Sequence, residues 1–266
     1  MKTYFVTADI HGFYDEFRAA LKKAGFKVKD PDHILIVCGD LFDRGPDSPK
    51  LYKFIKSLPR SRRILIRGNH EELLRRAINR GYFYESDRSN GTVGTIMQFT
   101  DCDYIDCVCD SETVCEEFKK TGILQWIAST EWQNYAEIGN YIFVHSWIPV
   151  KMLTDADIYK ATEATPMAMR PDWREATDAE WEDAAWGRPW VMIKKDLIPF
   201  GSTVVCGHWS ACDFPKYLDN NLTDYPNNNI YRGHGCIALD ACTVLSGFVN
   251  VLVLTEDEMK SSKGSK

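Results

Sequence analysis

Five short apolar runs, rich in β-branched residues, recur along the chain, and each leads into a polar residue. They are residues 4–7 before Asp9, 34–38 before Asp40, 64–66 before Asn69 and His70, 141–144 before His145, and 203–206 before His208. Runs of this length, bounded by Gly, Pro or Asp, predict buried strands. In open α/β sheets, ligands bind beyond the carboxyl ends of the strands, which is where all these polar residues fall. The pattern therefore predicts a functional site at one edge of a sheet.

Helical patterns separate the first three runs. Apolar residues recur at helical spacing over 13–24, which stops at Gly25, over 51–58, and from near residue 71 to residue 78. A glycine just after the last periodic residue is typical of a helix end. The alternation of strand and helix favours a mostly parallel sheet with helices packed on it.

The later part of the chain predicts antiparallel pairs. Residues 135–138 and 141–145 are joined by Gly139 and Asn140, a sequence typical of a hairpin turn. Residues 237–239 and 248–254 lie on either side of Ser246 and Gly247, and we expect a second hairpin there. An α/β fold, built as a four-layer α/β/β/α sandwich, is the simplest architecture that contains both the parallel first part and the antiparallel later part of the chain.

Length and composition suit one folded domain. At 266 residues the chain is long enough to bury a large core without disulfides or metals. We expect a single domain over 1–260 and a disordered tail at 261–266. Within the domain, residues 151–186 carry nine acidic side chains and three tryptophans with weak strand signal, which indicates an inserted, partly helical cap. A solvated helical connection is an equally good interpretation of this insert.

The charge excludes some classes of partner. With 32 basic and 38 acidic residues the net charge is −6, whereas non-specific binding to nucleic acid or an anionic membrane needs a basic face. No run approaches the roughly 18 apolar residues of a membrane span. The nine cysteines lie mostly inside apolar runs, so we expect reduced thiols in a cytoplasmic protein. The segment with Cys102, Cys107, Cys109 and Cys115 matches no usual zinc spacing, and we expect it to be an exposed turn region with free thiols.

The polar residues at the strand ends form an oxygen- and nitrogen-rich set. Two divalent ions could share it if one carboxylate, Asp40, bridges them, as in hydrolytic two-metal sites. Carboxylate, amide and imidazole ligands without a thiolate suit manganese, iron or zinc better than calcium or copper(I). Any single member could instead be a helix cap or a satisfied polar residue. The candidate ligands are Asp9, His11, Asp40, Asn69, His145 and His208.

The motifs that contain these residues resemble those of a known family. In order they are Asp9-x-His11-Gly12, Gly39-Asp40-x-x-Asp43-Arg44-Gly45, Gly68-Asn69-His70-Glu71, then His145 and Gly207-His208. Together they resemble the calcineurin-like metallophosphoesterases. The Asp-Arg-Gly and Asn-His-Glu forms are similar to the branch that contains serine/threonine protein phosphatases and bacterial symmetrical diadenosine tetraphosphatases.

The resemblance implies a role for each motif residue. Asp9, His11 and Asp40 would hold the first metal, and Asn69, His145 and His208 would complete the second, with Asp40 bridging. A hydroxide activated by the two ions would attack phosphorus in line, and His70, oriented by Asp43, would protonate the leaving oxygen. Arg44, Asn69 and a second arginine would bind the phosphate. We expect that arginine to be Arg188, in the segment Trp186-Gly187-Arg188-Pro189.

The substrate is less constrained than the chemistry. The resemblance favours a serine/threonine phosphoprotein phosphatase acting on a phosphoprotein or a phosphorylated small molecule. The alternative is a dinucleoside polyphosphate hydrolase that uses the same metals, and a non-catalytic scaffold is a weaker one because no ligand is missing. His208 is followed by Trp209 where the family more often has a threonine, which puts transfer of the substrate in doubt. The shape of the insert at 151–186 should distinguish the phosphatase from the dinucleotide hydrolase. An open groove would admit a peptide, whereas an aromatic cleft would admit a base and its ribose.

Overall fold

The computed structural model describes residues 1–220 and 227–261, and within them two five-stranded sheets pack face to face. The first sheet has the order β12-β1-β2-β3-β4, and its strands are parallel except for β12, which runs antiparallel to β1. Its strands are β1 (Thr3–Thr7), β2 (His33–Cys38), β3 (Arg63–Ile66), β4 (Trp132–Gln133) and β12 (Leu252–Thr255).

The second sheet has the order β10-β11-β9-β6-β5, with three parallel central strands and an antiparallel strand at each edge. Its strands are β5 (Ala136–Ile138), β6 (Tyr141–Phe143), β9 (Thr203–Cys206), β10 (Tyr231–Gly233) and β11 (Cys236–Ala238). A separate antiparallel ribbon is formed by β7 (Val150–Met152) and β8 (Met167–Met169).

Helices cover the outer face of each sheet. Those of the first half are α1 (Tyr14–Ala24), α2 (Ser48–Ser57), α3 (Asn69–Arg80), α4 (Glu85–Ser89), α5 (Thr92–Thr100), α6 (Tyr104–Cys109), α7 (Ser111–Lys120) and α8 (Ile123–Ile127). Those of the second half are α9 (Asp178–Ala184), α10 (Pro189–Lys194), α11 (Asp213–Leu218), α12 (Thr243–Ser246) and α13 (Glu256–Ser261). Short 3-10 turns lie at Arg60–Arg62, Ile158–Lys160 and Trp173–Glu175.

Three apolar clusters hold these layers together. One lies between the sheets and includes Val6, Ile36 and Val205. A second packs the first sheet against its helices, and a third packs the second sheet against α9, α10 and the insert. The arrangement confirms the predicted α/β/β/α sandwich, because each sheet buries one face against the other sheet and one against helices.

Some expectations about local structure are wrong. Residues 237–254 do not form a hairpin, because β11 pairs in the second sheet while β12 pairs with β1 in the first. Gly247, with φ +70°, ends the helix α12 instead of forming a hairpin turn. The insert is partly helical, as expected, but it also contains the β7–β8 ribbon.

The segment with four cysteines is also not the exposed turn that its acidic residues indicate. It forms α6 and part of α7, and Cys107 and Cys115 are buried in the core beneath the first sheet. At the end of the chain, Ser261 is the last residue of α13, and residues 262–266 of the expected disordered tail lie outside the described residues. Among the described residues, no helix combines the length and the apolar character needed to cross a membrane.

Glu131 joins three elements of the first sheet and its helices. Its carboxylate forms an ion pair with Arg63 on β3, accepts a hydrogen bond from Trp126 Nε1 at 3.0 Å, and lies 3.5 Å from Lys56 Nζ. Burial alone raises the pKa of Glu131, but the hydrogen bonds and the two cations outweigh it and lower the pKa from 4.5 to about 2. The ionised form therefore stabilises the folded state.

We expect Glu131→Gln to lower the free energy of unfolding by about 2 kcal/mol at pH 7. Because the pKa is depressed in the folded state, this stabilisation is complete above pH 4.5 and is lost as the pH falls towards 2. Urea unfolding of the wild type and the variant between pH 7 and pH 3.5 should therefore show a difference in the free energy of unfolding that shrinks as the pH falls below 4.5. Glu112→Gln, at an exposed position of α7, is the control. A constant difference across this pH range would contradict the assignment.

Candidate metal centre

The carboxyl ends of strands from both sheets meet at one edge of the sandwich. Asn69 Oδ1 lies 2.7 Å from His145 Nε2 and 2.9 Å from His208 Nδ1. Asp40 lies between two groups of ligand atoms, one with His11 and His70 and one with His145 and His208, and in each group these atoms are within 4.8 Å of one another. The Asp9 carboxylate accepts a hydrogen bond from the backbone N–H of His208 at 2.8 Å. The structure thus brings all six sequence-predicted ligands together.

The backbone turns sharply at these positions. Asp9, His11, Asp40 and His208 have φ values of 52°, 50°, 54° and 66°, in the left-handed region that residues with a Cβ seldom adopt. Each such residue costs on the order of 1–3 kcal/mol, and the conformation persists only where surrounding contacts fix it. Strain of this kind concentrates at functional sites.

Two glycines allow the loops to approach this closely. A Cβ on Gly68 would lie 2.1 Å from Asp40 Oδ1, and a Cβ on Gly207 would lie 2.0 Å from Asp9 Oδ2. Any side chain at these positions would displace a candidate ligand. Only glycine therefore fits at these positions of the Gly-Asn-His and Gly-His motifs.

The Glu71 carboxylate joins the loops that follow β2 and β3. It accepts hydrogen bonds from the backbone N–H groups of Asp40 at 3.0 Å, Leu41 at 2.9 Å and Gly68 at 2.8 Å. Burial raises the pKa of Glu71 to about 7, with the nearby Asp40 charge adding to the effect and the backbone N–H groups opposing it. This residue supports the ligands without being one of them.

The hydrogen bonds of the imidazoles test whether the site fits a metal. His11 Nδ1 lies 2.8 Å from the Phe42 carbonyl, and His145 Nδ1 lies 2.9 Å from the Cys38 carbonyl. A carbonyl only accepts, so each Nδ1 carries the proton and each Nε2 presents a lone pair. Backbone partners of this kind are what orient histidine ligands of metals. His145 Nε2 and Asn69 Oδ1 then face each other as two acceptors at 2.7 Å, a contact that a cation satisfies. The residues present therefore fit a divalent metal.

Protonation states agree with this arrangement. Burial lowers the pKa of His11 to about 3, lowers that of His145, and lowers that of His208 well below its ordinary range, so these rings are neutral near pH 7. Burial raises the pKa of Asp9 well above its ordinary value, with the Asp240 and Asp40 charges adding to it. A buried cluster of carboxylates without a counter-charge is costly, and a divalent cation would remove that cost.

His70, Asp43 and Arg44 form the second part of the site. His70 Nδ1 donates to Asp43 Oδ2 at 2.7 Å, which leaves Nε2 facing the site. The two terminal nitrogens of the exposed Arg44 guanidinium lie 2.9 Å from His11 Nε2 and 3.0 Å from His70 Nε2. Burial lowers the pKa of His70, but the carboxylates of Asp40 and Asp43 outweigh it, and the net shift is upward. Because Nδ1 donates to Asp43, Nε2 accepts from the Arg44 guanidinium in this structure, and the raised pKa favours a proton on Nε2 once a phosphoryl group takes up Arg44 instead.

Arg188, the second arginine expected to bind phosphate, lies beside Trp209. Its guanidinium is 5.7 Å from the ring centre of Trp209, which follows His208 in the chain, and the Trp209 indole N–H donates to the Gly187 carbonyl. Arg188 Nε is buried without a hydrogen-bond partner among the described residues. A buried unpaired donor on a cation is suited to an anionic ligand.

A cleft of about 430 Å³ opens beside Asn69 and His145. Its walls include Trp181 and Trp186 of the insert, and Trp186 meets the His208 ring edge-on at 5.5 Å. Arginines 67, 75 and 76 also line it. Arg75 and Arg76 form ion pairs with Glu72 and Glu182, whereas Arg67 has no carboxylate partner among the described residues and only an amide contact, to Asn134 Oδ1 at 3.3 Å.

Sequence reasoning missed several residues that shape the site. The motif contains Glu71, but nothing in the sequence indicates its three backbone contacts. Thr92 and Thr95 donate to Asp43 from helix α5, and no pattern in residues 92–100 points to that. Asp240 is buried, which raises its pKa to about 6, and its charge acts on Asp9. The one available signal for Asp240 is its position just after the apolar run 236–239.

The two five-stranded sheets thus carry, at their shared edge, a buried cluster of carboxylate, amide and imidazole groups that fits a divalent metal. Residues 2–234 match the calcineurin-like phosphoesterase family. The chain therefore belongs to this family, whose members typically bind two divalent metal ions.

Curated relatives match over part of their length. The symmetrical bis(5'-nucleosyl)-tetraphosphatase of Psychromonas ingrahamii is 41% identical over 103 residues, 39% of this chain and 35% of that protein. The corresponding protein of Buchnera aphidicola is 46% identical over 71 residues, 27% of this chain and 24% of that protein. The asymmetrical bis(5'-nucleosyl)-tetraphosphatase PrpE of Bacillus velezensis is 39% identical over 74 residues, 25% of this chain and 30% of that protein. The chain thus spans about a quarter to a third of the length of these relatives.

Solved structures share the fold at low identity. A cold-active protein-tyrosine phosphatase of a Shewanella species is 15% identical with a TM-score of 0.53, and the match covers 96% of this chain and 75% of that one. A metallophosphoesterase from Sphaerobacter thermophilus is 14% identical with a TM-score of 0.51, covering 97% and 85%. These likenesses concern the fold alone.

We expect Glu71→Gln to weaken the binding of Mn²⁺ about 10- to 100-fold, the usual effect of removing a residue that supports metal ligands. The amide of the variant would have one acceptor oxygen where the Glu71 carboxylate has two. Its NH₂ group would therefore face at least one of the three backbone N–H groups that donate to the carboxylate, and two donors repel each other. Titration calorimetry with Mn²⁺ measures the change. The control is Glu72→Gln, the next residue, which forms ion pairs with Arg75 and Arg76 at the surface of α3. Equal affinities for the two variants would contradict the role of Glu71.

Proposed function

We propose that this chain hydrolyses dinucleoside polyphosphates such as diadenosine tetraphosphate, in a reaction that depends on two divalent metal ions. The observation that carries the proposal is the cleft beside Asn69 and His145, which joins tryptophan rings to the candidate metal centre and also contains Arg67, an arginine with no acidic partner within residues 1–220 and 227–261. Its volume of about 430 Å³ lies in the range of small-ligand sites, roughly 300–1,000 Å³. The names of the curated relatives support the same substrate class.

The polyphosphate and the base would meet different walls of this cleft. Arg67 immediately precedes Gly68 and Asn69, so its guanidinium is close in the chain to the candidate ligands and available to phosphate oxygens. Trp186 is half-buried and stands edge-on to His208, so a base could stack on its ring beside the metal centre. A phosphoserine side chain would leave both features unused.

We assign the metal ligands as Asp9, His11 and Asp40 for one ion and Asn69, His145 and His208 with Asp40 for the other. Manganese suits this donor set, and iron and zinc are the other candidates. When bound, the two ions supply an activated water and neutralise charge on the phosphoryl oxygens.

The remaining chemistry belongs to this chain's own side chains. Arg44, whose guanidinium is exposed between His11 and His70, would bind the phosphoryl group that is attacked, together with Arg188. Asn69 would contact the same group. His70 would donate the proton on Nε2 to the leaving phosphate oxygen, while Asp43 keeps the Nδ1–H in place.

The motifs alone favour a serine/threonine phosphoprotein phosphatase over a dinucleoside polyphosphate hydrolase, and the same residues could serve either. The phosphatase ranks second because of the shape of the cleft beside the candidate metal centre. The insert forms one wall of the cleft through α9, which is held to α3 by the ion pair between Glu182 and Arg76, 2.6 Å apart. A cleft with tryptophan rings in this wall suits a nucleoside better than an extended peptide.

The first experiment compares turnover of diadenosine tetraphosphate and of a phosphoserine peptide by the Mn²⁺-loaded protein. We expect a higher kcat/KM on the dinucleotide, with the products separated by anion-exchange chromatography to locate the bond that breaks. His70→Asn should lower turnover about 100-fold or more on the phosphoserine peptide, whose leaving alkoxide needs a proton, and less on the dinucleotide, whose leaving group is a nucleoside phosphate. Preference for the peptide would overturn the proposal and favour the phosphatase alternative.

A second experiment tests the cleft. Arg67→Gln should lower kcat/KM for diadenosine tetraphosphate about 10-fold or more, since a hydrogen bond to a charged group contributes about 1.5–3 kcal/mol. Turnover of 4-nitrophenyl phosphate, which does not extend into the cleft, should change less than about 2-fold by the same argument. Arg60→Gln is the matched control, because Arg60 lies before β3 and bonds to Thr130. Equal losses on both substrates would show that Arg67 acts on the site as a whole.

A further inference from the structure

The Asp43 carboxylate has more partners than His70. Its Oδ2 accepts from the Thr92 hydroxyl at 2.8 Å as well as from His70 Nδ1 at 2.7 Å, and its Oδ1 accepts from the Thr95 hydroxyl at 2.8 Å. All four side chains are buried, and both threonines belong to α5. We propose that α5 is a positioning element for the general acid, in which Thr92 and Thr95 fix the Asp43 carboxylate and thereby aim His70 Nε2 at the leaving oxygen.

Thr95 bonds to both the backbone N–H and the carboxylate of Asp43. Its hydroxyl oxygen accepts from the Asp43 backbone N–H at 2.9 Å while its proton is donated to Oδ1 of the same residue. The ring of bonds fixes the backbone and the side chain of Asp43 together. Asp43 and Arg44 have φ values of 72° and 67°, so this is a segment that needs external contacts to keep its conformation.

The same helix also holds the residue after Arg44. The Gln98 side chain donates to the Gly45 carbonyl at 2.9 Å and accepts from the Ser48 N–H at 2.8 Å. Gly91, just before α5, approaches so closely that a Cβ there would lie 2.3 Å from Arg44 N. Positions 91, 95 and 98 recur at helical spacing, so one face of the helix supports the whole segment from Asp43 to Gly45.

The hydroxyls are separable from the packing of these side chains. Both threonines are fully buried, and valine has nearly the same shape, so Thr→Val removes the hydroxyl and its hydrogen bonds with little loss of packed volume. A purely structural role would lower stability and affect all substrates alike. A positioning role predicts a loss that depends on how much the leaving oxygen needs a proton.

The inference rests on the proposed role of His70 and not on the identity of the natural substrate. The test therefore uses phenyl phosphate, a poor leaving group, and 4-nitrophenyl phosphate, a good one. Thr92→Val and Thr95→Val should each lower kcat on phenyl phosphate about 10-fold or more, and on 4-nitrophenyl phosphate less than about 3-fold. Thr95→Ser should restore most of the lost rate because it restores the donor.

The control is Thr100→Val, the same substitution on the same helix, where the hydroxyl donates to the Ile96 carbonyl at 2.8 Å instead of to Asp43. Thr92→Val removes a single bond, whereas Thr95 makes two, so Thr92→Val is the variant to rely on if Thr95→Val folds poorly. We expect Thr100→Val to leave the ratio of the two rates unchanged.

A second readout does not depend on turnover. The proton between His70 Nδ1 and Asp43 should give a downfield proton NMR signal, which His70→Asn removes and so assigns. We expect Thr92→Val and Thr95→Val to shift or broaden that signal, and Thr100→Val and Thr95→Ser to leave it in place.

The outcomes separate this inference from the role of His70 on which it rests. If His70→Asn lowers both rates equally, His70 is not the acid and the inference falls with it. If His70→Asn is selective for phenyl phosphate but the valine variants are not, or if they leave the proton signal unchanged, the positioning role of α5 is overturned while His70 stands. Selective loss with restoration by serine supports the inference.

Discussion

The left-handed backbone after the strands is the constraint on which the site depends. Where a strand continues in ordinary extended backbone, its side chains project from the two faces of the sheet. Here the chain turns back at once, so the residue after the turn points across the sheet edge. Asp9, His11, Asp40 and His208 all have positive φ, and so do Asp43 and Arg44. The candidate ligands converge because these turns are made, and hydrogen bonds hold the turns in place, from Glu71 at Asp40 and from Thr95 at Asp43.

The strand ends and the polar residues that follow them could be predicted from the sequence, because both depend on neighbouring residues alone. An apolar run followed by a polar residue places that residue at a strand end, and parallel strands bring such ends together, so the six candidate ligands could be chosen without coordinates. The order of the layers followed from the same pattern. The failed hairpin at 237–254 shows the limit, because Gly247 ends a helix as readily as it forms a turn, and only the sheet pairing distinguishes the two.

Contacts distant in sequence could not be predicted. Thr92 and Thr95 lie 49 and 52 residues from Asp43, on a helix whose buried face carries no distinguishing pattern. The cleft depends on how the insert folds back over α3, and its ribbon β7–β8 comes from a stretch with weak strand signal. The residues proposed for chemistry therefore come from strand ends, whereas those that shape the substrate's surroundings come from connections. That division explains why the chemistry is easier to predict than the substrate.

The two sheets are joined at the site by directional bonds. Over most of their interface they meet through apolar side chains, such as Val6 and Ile36 against Val205, and apolar packing tolerates small sliding movements. At the site, His145 of the second sheet bonds to the Cys38 carbonyl of the first, and the His208 N–H bonds to Asp9. These polar contacts allow one alignment of the sheets. The candidate metal centre is thus also the place where the two sheets are brought into register, and a small misalignment of the sheets would displace the candidate ligands before it disturbed the apolar core.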